Sequence, residues 1–126
     1  MGPADASSCP FCAGDGVVMR NALAYVRFDK NPVTQGHCLI IPFRHVADFF
    51  ATNVDERAAM LALAEEARAI LERDFAPQGY NLGVNVGEAA GQTIGHVHLH
   101  LIPRYAGDVA NPRGGVRGVI PARQDY

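Results

Sequence analysis

Three of the chain's five histidines fall in one short alternating segment, Gly95-His96-Val97-His98-Leu99-His100-Leu101-Ile102-Pro103. Successive side chains of an extended strand point to opposite faces, so His96, His98 and His100 share one face, with neighbours about 6.5–7 Å apart, and Val97, Leu99 and Leu101 share the other. The segment therefore reads as a strand with a chemical face and a core face. One buried histidine is easily satisfied by a carbonyl, whereas three adjacent ones must limit their mutual charge and each find partners. Imidazole can serve as nucleophile, proton carrier or metal ligand. Just upstream, Gly87-Glu88-Ala89-Ala90-Gly91-Gln92-Thr93 is a loop of small residues whose amides, with the Gln92 and Thr93 side chains, could surround an anion.

The elements that position these residues can be read around them. Val17 to Met19 and Leu23 to Phe28 are apolar enough for two strands, with a turn near Arg20-Asn21. Asn31-Pro32 breaks the pattern, Gly36 permits a tight backbone, and Cys38-Leu39-Ile40-Ile41-Pro42 reads as a buried strand ended by proline. Thr52 or Asn53 caps a helix in which Met60, Leu63, Ala64, Ala67, Ile70 and Leu71 form one apolar stripe, stopped at Pro77-Gln78-Gly79. In Tyr80 to Val86, Tyr80, Leu82, Val84 and Val86 should face a core, and Asn81, Gly83 and Asn85 the side of the histidines. Consecutive strands with one long helix predict an α+β fold: an antiparallel meander of about five strands, one long helix and short helical turns.

Composition narrows the classes. A chain of 126 residues fits a single domain, with a core of about 9–105 and a glycine- and arginine-containing tail of about 106–126. A formal net charge of −2 argues against a nucleic-acid partner, which calls for clustered Lys and Arg. No apolar run approaches the roughly 20 residues of a membrane span, and Met1 to Ala6 lacks the marks of a signal peptide, so a cytoplasmic protein without a membrane partner is expected. No Gly-rich strand-to-helix fingerprint is present, so neither a Rossmann nor a P-loop reading is available. Three cysteines give no disulfide framework.

His96-Val97-His98-Leu99-His100-Leu101-Ile102 resembles the motif of the histidine triad family, with Gly91-Gln92-Thr93 standing where that family carries Gly-Gln-Ser/Thr. The stretch from Asn31 to Val46 is similar to the family's other characteristic block. The resemblance implies an α+β fold forming a homodimer, which binds a nucleoside phosphate, normally a purine nucleotide, and transfers or hydrolyses at its α-phosphorus. It assigns His98 as nucleophile, with one ring nitrogen held by a backbone carbonyl. It places His100 beside a non-bridging phosphate oxygen with His37 behind it, Gln92 and Thr93 on the α-phosphate or leaving group, and Asn85 on a phosphate oxygen. Asp29, eight positions before His37, matches the acceptor of the ribose hydroxyls. Phe11 and Phe28 are the nearest aromatics for the base.

Cys9-Pro10-Phe11-Cys12 is a lone C-x-x-C: a redox pair, half a zinc site, or neither. His45 and His96 are the available partners, and the set resembles family members with a structural Cys2His2 zinc, which leaves His98 free. A three-histidine catalytic zinc centre does not explain the Gln92-Thr93 loop. Cys38 alternates away from the site and reads as core. The function expected is hydrolysis of dinucleoside polyphosphates or adenosine phosphoramidates through a nucleotidyl-histidine, with magnesium accompanying a polyphosphate substrate. A nucleotidyltransferase or phosphorylase of the same family is the alternative, as is a nucleotide-binding regulator with vestigial activity. In the tail, Arg113 or Arg117 is expected to approach the leaving-group phosphates of a polyphosphate substrate, within the protomer or across the dimer.

Overall fold

A computed structural model describes residues 8–126; the Met1 to Ala6 stretch read above lies outside the described residues. Five strands are present: β1 (Val17–Arg20), β2 (Ala24–Phe28), β3 (Cys38–Pro42), β4 (Gly79–Val84) and β5 (Leu99–Arg104). One long helix, α1 (Val54–Phe75), and short 3-10 turns join them. All pairings are antiparallel, in the order β1-β2-β3-β5-β4. The strands do not simply follow one another across the sheet. After α1 crosses the sheet, the β4–β5 hairpin returns with β5 against β3, leaving β4 at the edge.

The β1–β2 turn forms because the Asn21 side chain accepts from the amides of Leu23 and Ala24 at 3.1 and 3.0 Å. Asn53 caps α1: its side chain accepts from the Glu56 amide at 2.8 Å while Glu56 reaches back to the Asn53 amide at 3.0 Å. The stripe Met60, Leu63, Ala64, Ala67 and Leu71 packs on Ala24, Val26, Cys38, Ile40 and Leu101, which is the helix side of the sheet. Cys38 is core there, and burial pushes its thiol up to about 12. Gly36 has φ +88°, and a Cβ would come within 3.0 Å of Leu71 and Phe75, so only glycine lets the β2–β3 loop pass the end of the helix. On the opposite face Cys9 and Phe11 cover Tyr25, Leu39 and Ile41.

Two expectations need correction. Leu82 is 45% exposed, because β4 is an edge strand beyond the sheet area that α1 covers. The regular strand also begins only at Leu99, so His96 and His98 precede it. Pairing with β3 ends at Ile40↔Leu99; beyond it the Val97 amide bonds the Val46 carbonyl at 2.8 Å and His96 turns its ring to the Pro42 carbonyl.

Candidate active site

On the face opposite α1, alternation along the extended chain brings Arg27 and, just past β2, Asp29 to one surface with Leu39 of β3 and His37 just before it, and with His100 of β5 and His98 just before it. Register places Arg27 across from Leu39, Leu39 across from His100, and His100 across from Gly83. A cleft of about 440 Å³ lies on this row, and its lining includes His98, His100, Asn85, Thr93, Phe11, Leu39 and Arg27. Its size suits a nucleotide-sized ligand.

Hydrogen bonds to the backbone assign the ring nitrogens. The Val33 amide donates to His37 Nδ1 at 3.1 Å, so the proton of neutral His37 is on Nε2. Nε2 lies 2.9 Å from His100 Nδ1, which must accept, and His100 therefore carries its own proton on Nε2. His98 Nδ1 donates to the His96 carbonyl at 3.0 Å, leaving Nε2 with its lone pair. The residue supplying that carbonyl is one the sequence could not name. Burial lowers the pKa of His37 and His98, with Asp29 opposing in both cases. His100 falls to about 4, first through burial and then through His98 and His37, with Asp29 partly offsetting. All three rings are thus held neutral near pH 7.

Asp29 lines the same cleft and approaches this histidine chain. Its Oδ1 accepts from the Asn31 amide at 2.9 Å, and Oδ2 is 3.5 Å from His37 Nε2. Asp29, His37 and His100 are close enough to suggest a cation site, but the lone pairs such an ion needs are already spent between the two rings.

Cys9, Cys12, His45 and His96 form a second cluster, their ligand atoms all within 4.8 Å of one another. His96 is wholly buried and gives Nε2–H to the Pro42 carbonyl at 2.7 Å, which aims Nδ1 at the two sulfurs, 3.4 Å from Cys9 and 3.5 Å from Cys12. His45 Nδ1 is 3.0 Å from Cys12 Sγ. A tetrahedral ion with Zn–S near 2.3 Å and Zn–N near 2.05 Å needs sulfur–nitrogen edges of about 3.6 Å, so the donor set fits zinc with small adjustment. Arg44 positions His45 by clamping the buried Glu56 at the start of α1, at 2.7 and 3.0 Å.

Gln92 is where the sequence expectation departs most from the structure. Buried at 3% exposure, its side chain accepts from the Gly87 amide at 2.9 Å and donates to the carbonyls of Ala47 and Ile94 at 2.8 and 3.0 Å. Every polar direction of the amide is used inside the loop, so Gln92 shapes the loop and does not line the cleft; Thr93 and Gly91 do. Phe11 is likewise packed, edge-on to His98 with ring centroids 5.0 Å apart, and Phe28 does not line the cleft, so no aromatic pair flanks a base. Sequence reading missed Arg27, buried at 5% exposure with its guanidinium carbon 5.9 Å from the Phe11 ring. The alternation Tyr25, Arg27, Asp29 was the signal that could have found it.

Comparison with known proteins gives this arrangement a family. The HIT domain profile matches residues 13–107. The chain belongs to the HIT family. This HIT chain is 32% identical over 93 residues to an AP-4-A phosphorylase of Mycobacterium tuberculosis, covering 73% of this chain and 48% of that protein. It therefore spans about half the length of that relative. It is 32% identical over 98 residues to the asymmetrical bis(5'-nucleosyl)-tetraphosphatase of Schizosaccharomyces pombe, covering 78% and 54%. Among solved structures, a zinc-bound histidine triad family protein of Mycobacterium smegmatis superimposes with a TM-score of 0.76 at 32% identity, covering 85% and 82% of the two chains.

Proposed function

We propose that this HIT protein hydrolyses nucleoside phosphates at the α-phosphorus through a covalent nucleotidyl-His98 intermediate. The observation that carries this reading is the orientation of His98: its Nδ1 proton is committed to the His96 carbonyl at 3.0 Å, so Nε2 lies in the cleft as an unprotonated nucleophile. The Nε2–P bond forms as the bond to the leaving group breaks; the departing electron pair stays on the leaving group, as the phosphate anion of a polyphosphate or on an amine nitrogen that takes a proton from solvent, while neutral His100 keeps its Nε2 proton as a hydrogen-bond donor. Water then attacks phosphorus and loses a proton to solvent as the His98–P bond breaks, which frees His98 and the nucleoside monophosphate. Thr93, Asn85 and His100 are the donors for the phosphate oxygens, where developing charge makes such donors most effective. Asp29 lines the cleft with acceptor capacity left on both carboxylate oxygens, and in this reading it takes the ribose hydroxyls while keeping its bond to the Asn31 amide. The nucleoside is a purine in this reading, lying toward Leu39, Phe11 and Arg27.

The reading includes a structural zinc on Cys9, Cys12, His45 and His96. When bound, the ion ties the N-terminal segment to the triad without entering the reaction. Two thiolate ligands suit a reducing compartment such as the cytoplasm. No helix among the described residues is long and apolar enough to cross a membrane. The edge strand β4 with its exposed Leu82 supports a homodimer, testable by sedimentation. The discriminating experiment follows the turnover of diadenosine tetraphosphate and adenosine phosphoramidate with and without inorganic phosphate. AMP in both cases supports hydrolysis. ADP formed only with phosphate supports the phosphorylase reading, which the likeness to a phosphorylase favours.

A further inference from the structure

One buried polar side chain lining the cleft has no part in the chemistry above. Arg27 is only 5% exposed, yet among the described residues no carboxylate or carbonyl takes an N–H of its guanidinium. Around that group are the Phe11 ring, 5.9 Å from the guanidinium carbon, and Gly16, where a Cβ would lie 4.0 Å from a terminal nitrogen. Other arginines are spent inside the fold. Arg44 and Arg104 pair with Glu56 and Asp108, and in the tail Arg113 pairs with Asp125 while Arg117 donates to the carbonyls of Arg123 and Gln124. A guanidinium taken out of water with its N–H groups unmet is costly, and a ligand that brings acceptors to it recovers that cost.

Register fixes which part of a substrate can do so. Arg27 pairs with Leu39 and Leu39 with His100, so Arg27 stands two strands from His100, about 9.5 Å across the sheet. Asp29 follows Arg27 by two positions on the same face, roughly 6.5–7 Å further along the chain. With the α-phosphorus at His98 and the ribose hydroxyls on Asp29, the base is what comes to Arg27.

We propose that Arg27 reads the base and selects a 6-oxopurine, guanine or hypoxanthine, over adenine. The planar fork of a guanidinium suits two acceptors side by side, and O6 and N7 of a 6-oxopurine are such a pair. Adenine keeps N7 but carries an amino group in place of O6, which sets donor against donor. The inference rests on the nucleotidyl-transfer reading, which brings the base to this end of the row, and adds which base is preferred. No bond forms or breaks at Arg27, so the discrimination is one of binding and is read in KM rather than kcat.

The test measures kcat/KM of the full chain for the 5'-phosphoramidates of guanosine, inosine, adenosine and 7-deazaguanosine, and the Kd of the matching 5'-monophosphates by calorimetry. Guanosine and inosine should be alike and exceed adenosine roughly tenfold or more, with 7-deazaguanosine, which lacks N7, falling between. Arg27→Met keeps an apolar stem without donors and should bring the guanosine-to-adenosine ratio near one, while Arg27→Lys should retain part of it. The ratio is taken within one protein, and the 7-deaza comparison uses the wild type, so a poorly folding variant does not hide the answer. Equal values for guanosine, inosine and adenosine, a guanosine preference that inosine does not share, or a preference untouched by Arg27→Met overturns the assignment. A nucleotidyl group still found on His98 then leaves the transfer reading intact. Adenosine 3',5'-bisphosphate binding more tightly than GMP, by a margin lost in Arg27→Met, gives the guanidinium a second phosphate and overturns the assignment too. If no compound is turned over and no adduct forms on His98, the transfer reading fails, and the Kd series decides the base preference by itself.

Discussion

The first and second histidines of the triad are two residues apart and chemically identical, yet the structure uses them in opposite ways. His96 spends Nε2 on the Pro42 carbonyl and turns Nδ1 to Cys9 and Cys12, with no surface exposed. His98 spends Nδ1 on the His96 carbonyl and leaves Nε2 in an open cleft. The difference lies in which nitrogen the backbone takes. In the proposed function, a carbonyl at one ring edge makes His96 a buried metal ligand, and a carbonyl at the other makes His98 a nucleophile facing the cleft. The contrast extends to their surroundings: one region is closed and sulfur-rich, the other open and bounded by amides and imidazoles.

The comparison can be broken most severely on the cleft side. His98→Ala should lower turnover roughly a thousandfold or more while the melting temperature falls only modestly, because the ring's structural contribution is one backbone hydrogen bond and edge contacts with Phe11 and His100. Cys9→Ser, or chelation of the wild type, should do the reverse. The melting temperature drops by several degrees, and activity follows only as the protein unfolds. If chelation stopped turnover of the folded protein at once, the two regions would not be separate.

Gln92→Ala tests a link between them, since Gln92 joins the cleft loop to the Ala47 carbonyl, two residues past His45. Loss of its three bonds should cost about 1–3 kcal/mol of stability, and Gln92→Glu should not restore it, because a carboxylate cannot donate to the two carbonyls. pH gives a gentler probe. His100 is depressed from 6.5 to about 4, facing His98, His37 and Asp29, so between these values the unfolded chain binds more protons than the folded one. Stability at pH 7 should therefore fall as pH drops from about 6.5 toward 4, and His100→Gln should flatten that slope in chemical denaturation. The smallest effect expected is at the tail: Arg113→Ala and Arg117→Ala should change kcat/KM for diadenosine tetraphosphate less than about twofold, as exposed pairs contribute about 0–1 kcal/mol.

The legibility of these features in the sequence follows a physical line. The strands β2 and β3, the helix with its Asn53 cap and the shared face of His98 and His100 were all readable, because period, capping chemistry and proline punctuation are local properties. The Cys9, Cys12, His45 and His96 grouping came through resemblance, and the structure brings those four together. What stayed hidden depends on distant backbone: the Pro42 and His96 carbonyls, the Val33 amide that starts the His37–His100 chain, and the Ala47 carbonyl that claims Gln92. Leu82 was misread because alternation reports faces and cannot say which strand will stand at the edge. The contacts of Arg113 and Arg117 with Asp125 and Tyr126 were equally invisible in the sequence, because they form only once the tail turns back on itself.

The most direct test of the central claim is rapid acid quench of wild-type protein during turnover of an adenosine 5'-phosphoramidate, followed by peptide mass analysis. The account predicts one nucleotidyl group on the peptide containing His98, absent from His98→Ala, with the nitrogen–phosphorus linkage labile to acid on longer standing. Turnover without any adduct, or an adduct on His100 or His37 that persists in His98→Ala, would contradict it.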